Sequence, residues 1–346
     1  MRSRLMWLGA GTAACVLMAL VTTAAQGQYT KVTDIQIGGA GAFDYLAIDS
    51  AAKRLYVTHG TEIVVIDTAT NKVVGRIADT PRVHGIAIVP ELGKGFSTNG
   101  GENKVSVVDL KTLQTLSKID TGTNPDAVTY DPARKEIYTF NGGKAGGYNA
   151  TVIDATRGAV VATVELGDKP ESGAADSAIG RVFVNLETKS LVGVIDTATH
   201  QKIAEWPVAP AEEPTGMAID TTAKRIFVGG GPALVAIDYT TGKVVANVKI
   251  CEGTDATWYD SGSKMVFNSC GDGNITMTRF DAPNKLTVVG TLATTRGART
   301  MALDPVAHRI YTAAQNYAPA DPNAAAGARP TPIPDSFHVL VFEMKK

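Results

Sequence analysis

The chain has 346 residues, 44% of them hydrophobic and 19% charged, with 33 Lys+Arg against 34 Asp+Glu for a formal charge of −1. That balance, with no Lys/Arg run of five or more, leaves no electrostatic footprint for nucleic acid. The length suits two ordinary domains or one large repeat array.

Residues 1–25 read as a secretory signal peptide: MRSR supplies positive charge, LMWLGAGTAACVLMALV is apolar, and TTAAQGQ offers small residues for cleavage near Ala25. An uncleaved anchor is the alternative, because the apolar run approaches the length of a spanning helix. Cys15 lies inside that run, which argues against a lipoprotein anchor. Cleavage removes Arg2 and Arg4, so 31 basic residues face 34 acidic ones and the charge becomes −3. The mature chain, residues 26–346, is expected as one domain, periplasmic or secreted, with no membrane contact beyond the signal peptide.

A surplus strand, YTKVTDIQIGG at 29–39, precedes seven copies of one phrase. These are AFDYLAID (42–49), RVHGIAIV (82–89), NPDAVTYD (124–131), KPESGAAD (169–176), EPTGMAID (213–220), GTDATWYD (253–260) and GARTMALD (297–304). Their third residues are Asp44, His84, Asp126, Glu171, Thr215, Asp255 and Arg299, spaced by 40, 42, 45, 44, 40 and 44. That period is the length of a four-stranded propeller blade. A second strand follows each phrase, as in KRLYVTHG and KEIYTFNGG. Third and fourth strands follow around Asp/Thr/Asn-rich turns such as DTATNK. The last unit ends at FHVLVFEMKK without a fourth strand, so strand 29–39 is expected to complete it and close the ring. The fold class is therefore all-β, a seven-bladed β-propeller with four antiparallel strands per blade, expected as a monomer.

RLYVTHG, EIYTFNGG and RIFVGGG, each followed by a pattern like VVIDTATNKVV, resemble the YVTN-repeat or YncE-like seven-bladed propellers of exported bacterial proteins. The resemblance covers about residues 29–346. It implies a binding protein, and it leaves open lactonase- or lyase-like chemistry and a redox partner holding a non-covalent cofactor, because fold alone does not choose a function. It also implies single-stranded DNA as a partner of one relative, which the net charge of this chain argues against.

In a propeller the first strand of each blade lines the central channel, so the seven third residues are expected to form one ring at the channel mouth. Two readings of that ring stand. It is either a polar rim that water requires, or a site for a ligand or metal, since so many ionisable groups in one funnel call for a counter-charge. Asp44, His84, Asp126, Glu171 and Asp255 offer donors suited to one divalent cation such as Ca²⁺ or Mn²⁺. Such an ion could polarise a carbonyl. Alternatively Arg299, with Arg296 and Arg82, could pair an anionic group. The partner class is a small polar ligand or a protein loop at this face. A second tier is expected at the ends of second strands and nearby loops: His59, Asn99, Asn141, Glu187, Gln315 and Arg296.

The remaining signals read as structural. NGGEN, NGGKAGGYN and CGDGN lack phosphate-loop and calcium-loop spacing and are turns. No G-x-S-x-G nucleophile elbow occurs, and catalytic residues stay unassigned. No C-x-x-C-H occurs, so no c-type haem is expected. Cys251 and Cys270 are expected to form a disulfide, because a turn at 260–263 places residue 254 opposite Cys270; a free thiol pair is the alternative. His200 is expected to be exposed and inert, His308 to serve a turn, and His338 to open the last strand without a partner. Residues 317–336, rich in proline and alanine, are expected to form an extended loop without regular structure, either a cover for the mouth or an inert insertion.

Overall fold

A computed structural model describes residues 29–39, 41–319 and 331–345. The expected signal peptide, 1–25, lies outside the described residues. Seven four-stranded antiparallel sheets are present, six of them built from consecutive strands. The seventh has Tyr29–Gln36 as its outer strand, followed inward by His338–Met344, Arg309–Ala314 and Met301–Asp304. Gln36 faces His338 and Tyr29 faces Met344, so the two ends of the fold zip together in one blade. The expected ring closure is present. Among the described residues the only helix is the 3₁₀ turn Pro90–Leu92.

The first strands are Phe43–Asp49, Val83–Val89, Pro125–Asp131, Pro170–Asp176, Pro214–Asp220, Thr254–Asp260 and Met301–Asp304. The core lies between blades rather than in one centre. Tyr56, Ile63 and Val65 of blade 1 pack on Val83, Ile86 and Val108 of blade 2. Leu55, Val57 and Val64 of blade 1 pack on Tyr311, Val339 and Val341 of blade 7. Middle strands are buried on both faces, hence continuous apolar runs such as EIVVID, while outer strands leave Val74, Leu116 and Ile203 exposed. Turns between third and fourth strands are closed by aspartate: Asp67 Oδ1 accepts the amides of Ala69 and Thr70, and Asp196 does the same for Ala198 and Thr199.

One irregularity recurs where the site lies. In blades 1 to 6 the pairing of first and second strands slips by one residue, between Phe43 and Leu46, Val83 and Gly85, Pro125 and Val128, Pro170 and Gly173, Pro214 and Gly216, and Thr254 and Ala256. Each slip is a β-bulge, a device that re-aims a side chain. Every bulge contains a ring residue.

The 317–336 insertion departs from its expected form at its base. Tyr317 pairs with Pro332, and the amides of Ala318 and Ile333 bond the carbonyls of Thr331 and Asn316. Pro332 has no donor, so its neighbours carry the ladder.

Candidate functional site

The bulges are held by buried hydroxyls. Thr58 Oγ1 accepts the Asp44 amide and donates to the Tyr45 carbonyl. Thr98 Oγ1 accepts the Gly85 amide and donates to the Asp126 carbonyl of the next blade, while Thr300 Oγ1 donates to the Asp44 carbonyl. Blade is thus tied to blade at the backbone atoms that aim the ring. Thr215 is part of this lacing: its hydroxyl donates to the Thr254 carbonyl at 2.6 Å.

Six ring side chains are ionisable, and they meet one another or a neighbouring cation. His84 Nδ1 lies 2.7 Å from Asp44 Oδ2 and 3.5 Å from Asp126 Oδ1, so its proton sits between two carboxylates. Glu171 accepts from Lys169 Nζ at 2.7 Å and from the Tyr45 hydroxyl at 3.4 Å. Lys169 also bonds Glu187, and Arg299 pairs with Asp255. Asp44, His84 and Asp126 offer ligand atoms within 4.8 Å of one another. The five expected metal donors are therefore divided: three converge, while Glu171 and Asp255 each hold a cationic side chain.

Burial dominates the electrostatics. It lifts the Asp126 carboxyl to about 6, with Asp44 adding to the rise and His84 opposing it. It lifts Glu171 to about 8, reinforced by Asp126 and opposed by Lys169. Asp255 is raised too, because burial outweighs the pull of Arg299. Burial works against a charged His84, but the hydrogen bond to Asp44 and the charge of Asp126 win, and His84 holds its proton more tightly than usual. The ring thus retains protons that isolated carboxylates would have lost.

Gly100 is required by a close approach. A Cβ there would lie 2.7 Å from His84 Nε2 and 2.5 Å from Asn124 Oδ1. Both of those atoms are buried, and neither has a hydrogen-bond partner among the described residues.

The second tier separates. Glu187 joins the cluster through Lys169. His59 instead stacks on Phe337, with ring centroids 4.0 Å apart, and burial makes it harder to protonate. Asn141 is fully buried and donates to Asn149 and Thr151, and Asn99 donates to Glu102 and Ser106. Gln315 is buried. Arg296 makes no ion pair among the described residues. His200 is not inert: its Nε2 lies 3.0 Å from Glu136 of the preceding blade, a partner 64 residues away that turn chemistry does not reveal. His308 Nδ1 bonds Asp260 at 2.6 Å, and His338 Nδ1 bonds the Ser336 carbonyl at 2.7 Å, so His338 also has a partner.

Cys251 and Cys270 form a disulfide, with Cα atoms 5.8 Å apart and Thr254 opposite Cys270 as expected. Asp272 lies close to both sulfurs, but bonded cysteines are not metal donors.

Two residues of the cluster were not expected from sequence, Lys169 and Tyr45. Their signal was local: Lys169 stands two places before Glu171, and Tyr45 shares the bulge with Asp44.

Together these features define a seven-bladed β-propeller with an ionisable ring at one mouth of its channel, similar over part of its length to proteins named YncE. Over 151 residues the chain is 33% identical to a protein of Salmonella typhi named Uncharacterized protein YncE and 32% identical to its Salmonella typhimurium counterpart. Each match spans 42% of this chain and 42% of the relative's length. No family model matches the chain. Among solved structures, hydrazine synthase of Kuenenia stuttgartiensis superposes with a TM-score of 0.70 at 17% identity, covering 83% of this chain and 95% of that one. A chain of the mitotic checkpoint complex superposes with a TM-score of 0.75 at 13% identity, covering 100% and 99%. At those identities the likeness is one of fold.

Proposed function

We propose that this chain is an exported binding propeller whose channel mouth captures a small, positively charged polar ligand. One observation carries the reading. Among the described residues, Asp44, Asp126, Glu171, Asp255 and Glu187 have three cationic partners, His84, Lys169 and Arg299, so carboxyl groups outnumber cations in a partly buried place. Protons retained by Asp126 and Glu171 stand where a cation would bind more strongly. An anionic ligand would meet this excess as repulsion.

A divalent ion is the second form of the same reading, favoured by the convergence of Asp44, His84 and Asp126. The donor set, two carboxylates and one imidazole, fits Mn²⁺ or Ca²⁺. The ion would take the place of the proton now shared by His84 and Asp44, so binding would release protons. The disulfide, and the lack among the described residues of any helix able to cross a membrane, are compatible with export.

The test is elemental mass spectrometry of the purified mature protein, followed by calorimetric titration with Ca²⁺, Mn²⁺ and methylammonium. At least one cation is expected to bind, and Asp126→Asn is expected to weaken it by about tenfold or more, the worth of one charge-assisted contact. If none of the three binds, the mouth is a solvated rim and the reading falls. A bound metal accompanied by lactone hydrolysis would put a metal-dependent enzyme in place of a binding protein.

A further inference from the structure

Directly along the first strands from the ring lies a cavity of about 370 Å³ in the propeller's central channel. All seven blades line it, with Tyr45, Ala127, Met217, Ala256, Trp258 and Met301 among its walls. Each acidic or basic member of the ring in blades 1, 2, 3, 4 and 6 is followed in sequence by a wall residue: Tyr45, Gly85, Ala127, Ser172 and Ala256. Polar demands inside are largely met. The Trp258 indole donates to the Met301 carbonyl at 2.8 Å, and Thr257 Oγ1 accepts from Asn268. The volume falls within the range of small-molecule sites, about 300–1,000 Å³.

Resting on the cation reading of the mouth, we propose that mouth and channel form one site for a small organic cation with an apolar body. The ammonium group sits among Asp126, Glu171 and Asp44, where its three N–H donors meet carboxylate oxygens. The hydrocarbon part enters the channel against Tyr45, Ala127 and Met217. A bare metal ion would leave the apolar channel without a role. An apolar molecule without charge would leave the carboxylate excess unanswered. Tyr45 joins the two halves, because it lines the cavity while its hydroxyl reaches Glu171.

The experiment is a calorimetric series with methyl-, butyl- and hexylammonium on the mature, disulfide-bonded protein. Each added methylene that enters the channel should tighten binding by about fourfold, the worth of one buried CH₂. Ala174→Leu, which narrows the cavity wall, should flatten the series while leaving methylammonium affinity unchanged, its fold checked by circular dichroism. Glu171→Gln should weaken every member by a similar factor. Methylammonium binding with no dependence on chain length overturns the inference and spares the cation reading. Binding of Ca²⁺ or Mn²⁺ without any ammonium ion does the same. Hexylammonium binding that Glu171→Gln and Asp126→Asn leave untouched also overturns it, since the charge would then play no part. Silence from all the ammonium ions and both metals removes the inference and the reading together.

Discussion

The first strand of blade 4, Pro170–Asp176, carries an acidic residue near each end, and the two have opposite fates. Glu171 stands at the mouth and is lifted by burial to about 8. Asp176, 1% exposed, is held below the usual carboxylate range. Burial pushes Asp176 up as well, but the Tyr239 hydroxyl at 2.6 Å, Lys224 and the Ala178 amide outweigh it. The difference lies in donors as well as in desolvation, which is the heavier on Glu171. At the far end the chain turns back and presents its own amides: Asp49, Asp131, Asp220, Asp260 and Asp304 each accept one or two from the following turn. At the mouth the bulge amides and carbonyls are taken by Thr58, Thr98 and Thr300, which leaves the ring carboxylates to one another and to a few cations. One end is satisfied by the fold, and the other is left with capacity for something else.

The sharpest way to break this comparison is Asp176→Ala. It strips three donors of their acceptor in a buried place and should cost about 3 kcal/mol in urea unfolding, with cation binding unchanged. The sign with pH also follows. Because the folded carboxyl is depressed, its stabilisation is present above its ordinary value of 3.8 and is lost as pH falls through the folded value. A variant with unchanged stability would show that the far-end network is ornamental. Next in size is the disulfide, which closes a separation of 19 residues. Replacing both cysteines by alanine should cost about 3 kcal/mol in the chain-entropy view. The bridge joins Cys251, which precedes Asp255, to Cys270, opposite Thr254, so it braces the approach to the blade 6 bulge. A loss of stability together with weaker cation binding would show that the bridge also holds the mouth.

Much of the architecture could be read from the phrase that recurs in each blade. Its closing aspartate in six of seven copies marks the far-end turn, and its third residue marks the bulge. The register slip itself has no signature beyond that spacing, yet it decides which side chains meet. This is why Asp44, His84, Asp126, Glu171, Asp255 and Arg299 were legible as a set while Tyr45 and Lys169 were not. His59 and Asn141 misled for a different reason. A polar residue at a strand end looks the same in sequence whether it faces a channel or packs against a neighbouring strand. Only packing against Phe337, or against Asn149 and Thr151, separates the two. His200 and Glu136 belong to different blades, and nothing local in TATHQK announces their contact.

The smallest expected effect bears most directly on the mouth. Glu171 faces Lys169 and Tyr45 in direct contact, with Asp126 and Asp255 adding repulsion. Its folded carboxyl holds a proton up to about 8, whereas the unfolded chain releases it near 4.5. Between those values the folded state binds more protons than the unfolded state, so stability falls as pH rises, the reverse of the Asp176 case. Glu171→Gln keeps the shape of the protonated side chain and cannot ionise. The variant should match the parent near pH 5 and exceed it by about 1 kcal/mol near pH 9, read as urea midpoints at the two values. A bound cation should narrow that difference by stabilising the ionised parent more than the variant, since ligand binding to the folded state adds to its stability. If Glu171→Gln is instead less stable at pH 9, the Lys169 pair outweighs burial. The mouth would then resemble the far end, a structural ion pair rather than a place kept ready for a ligand.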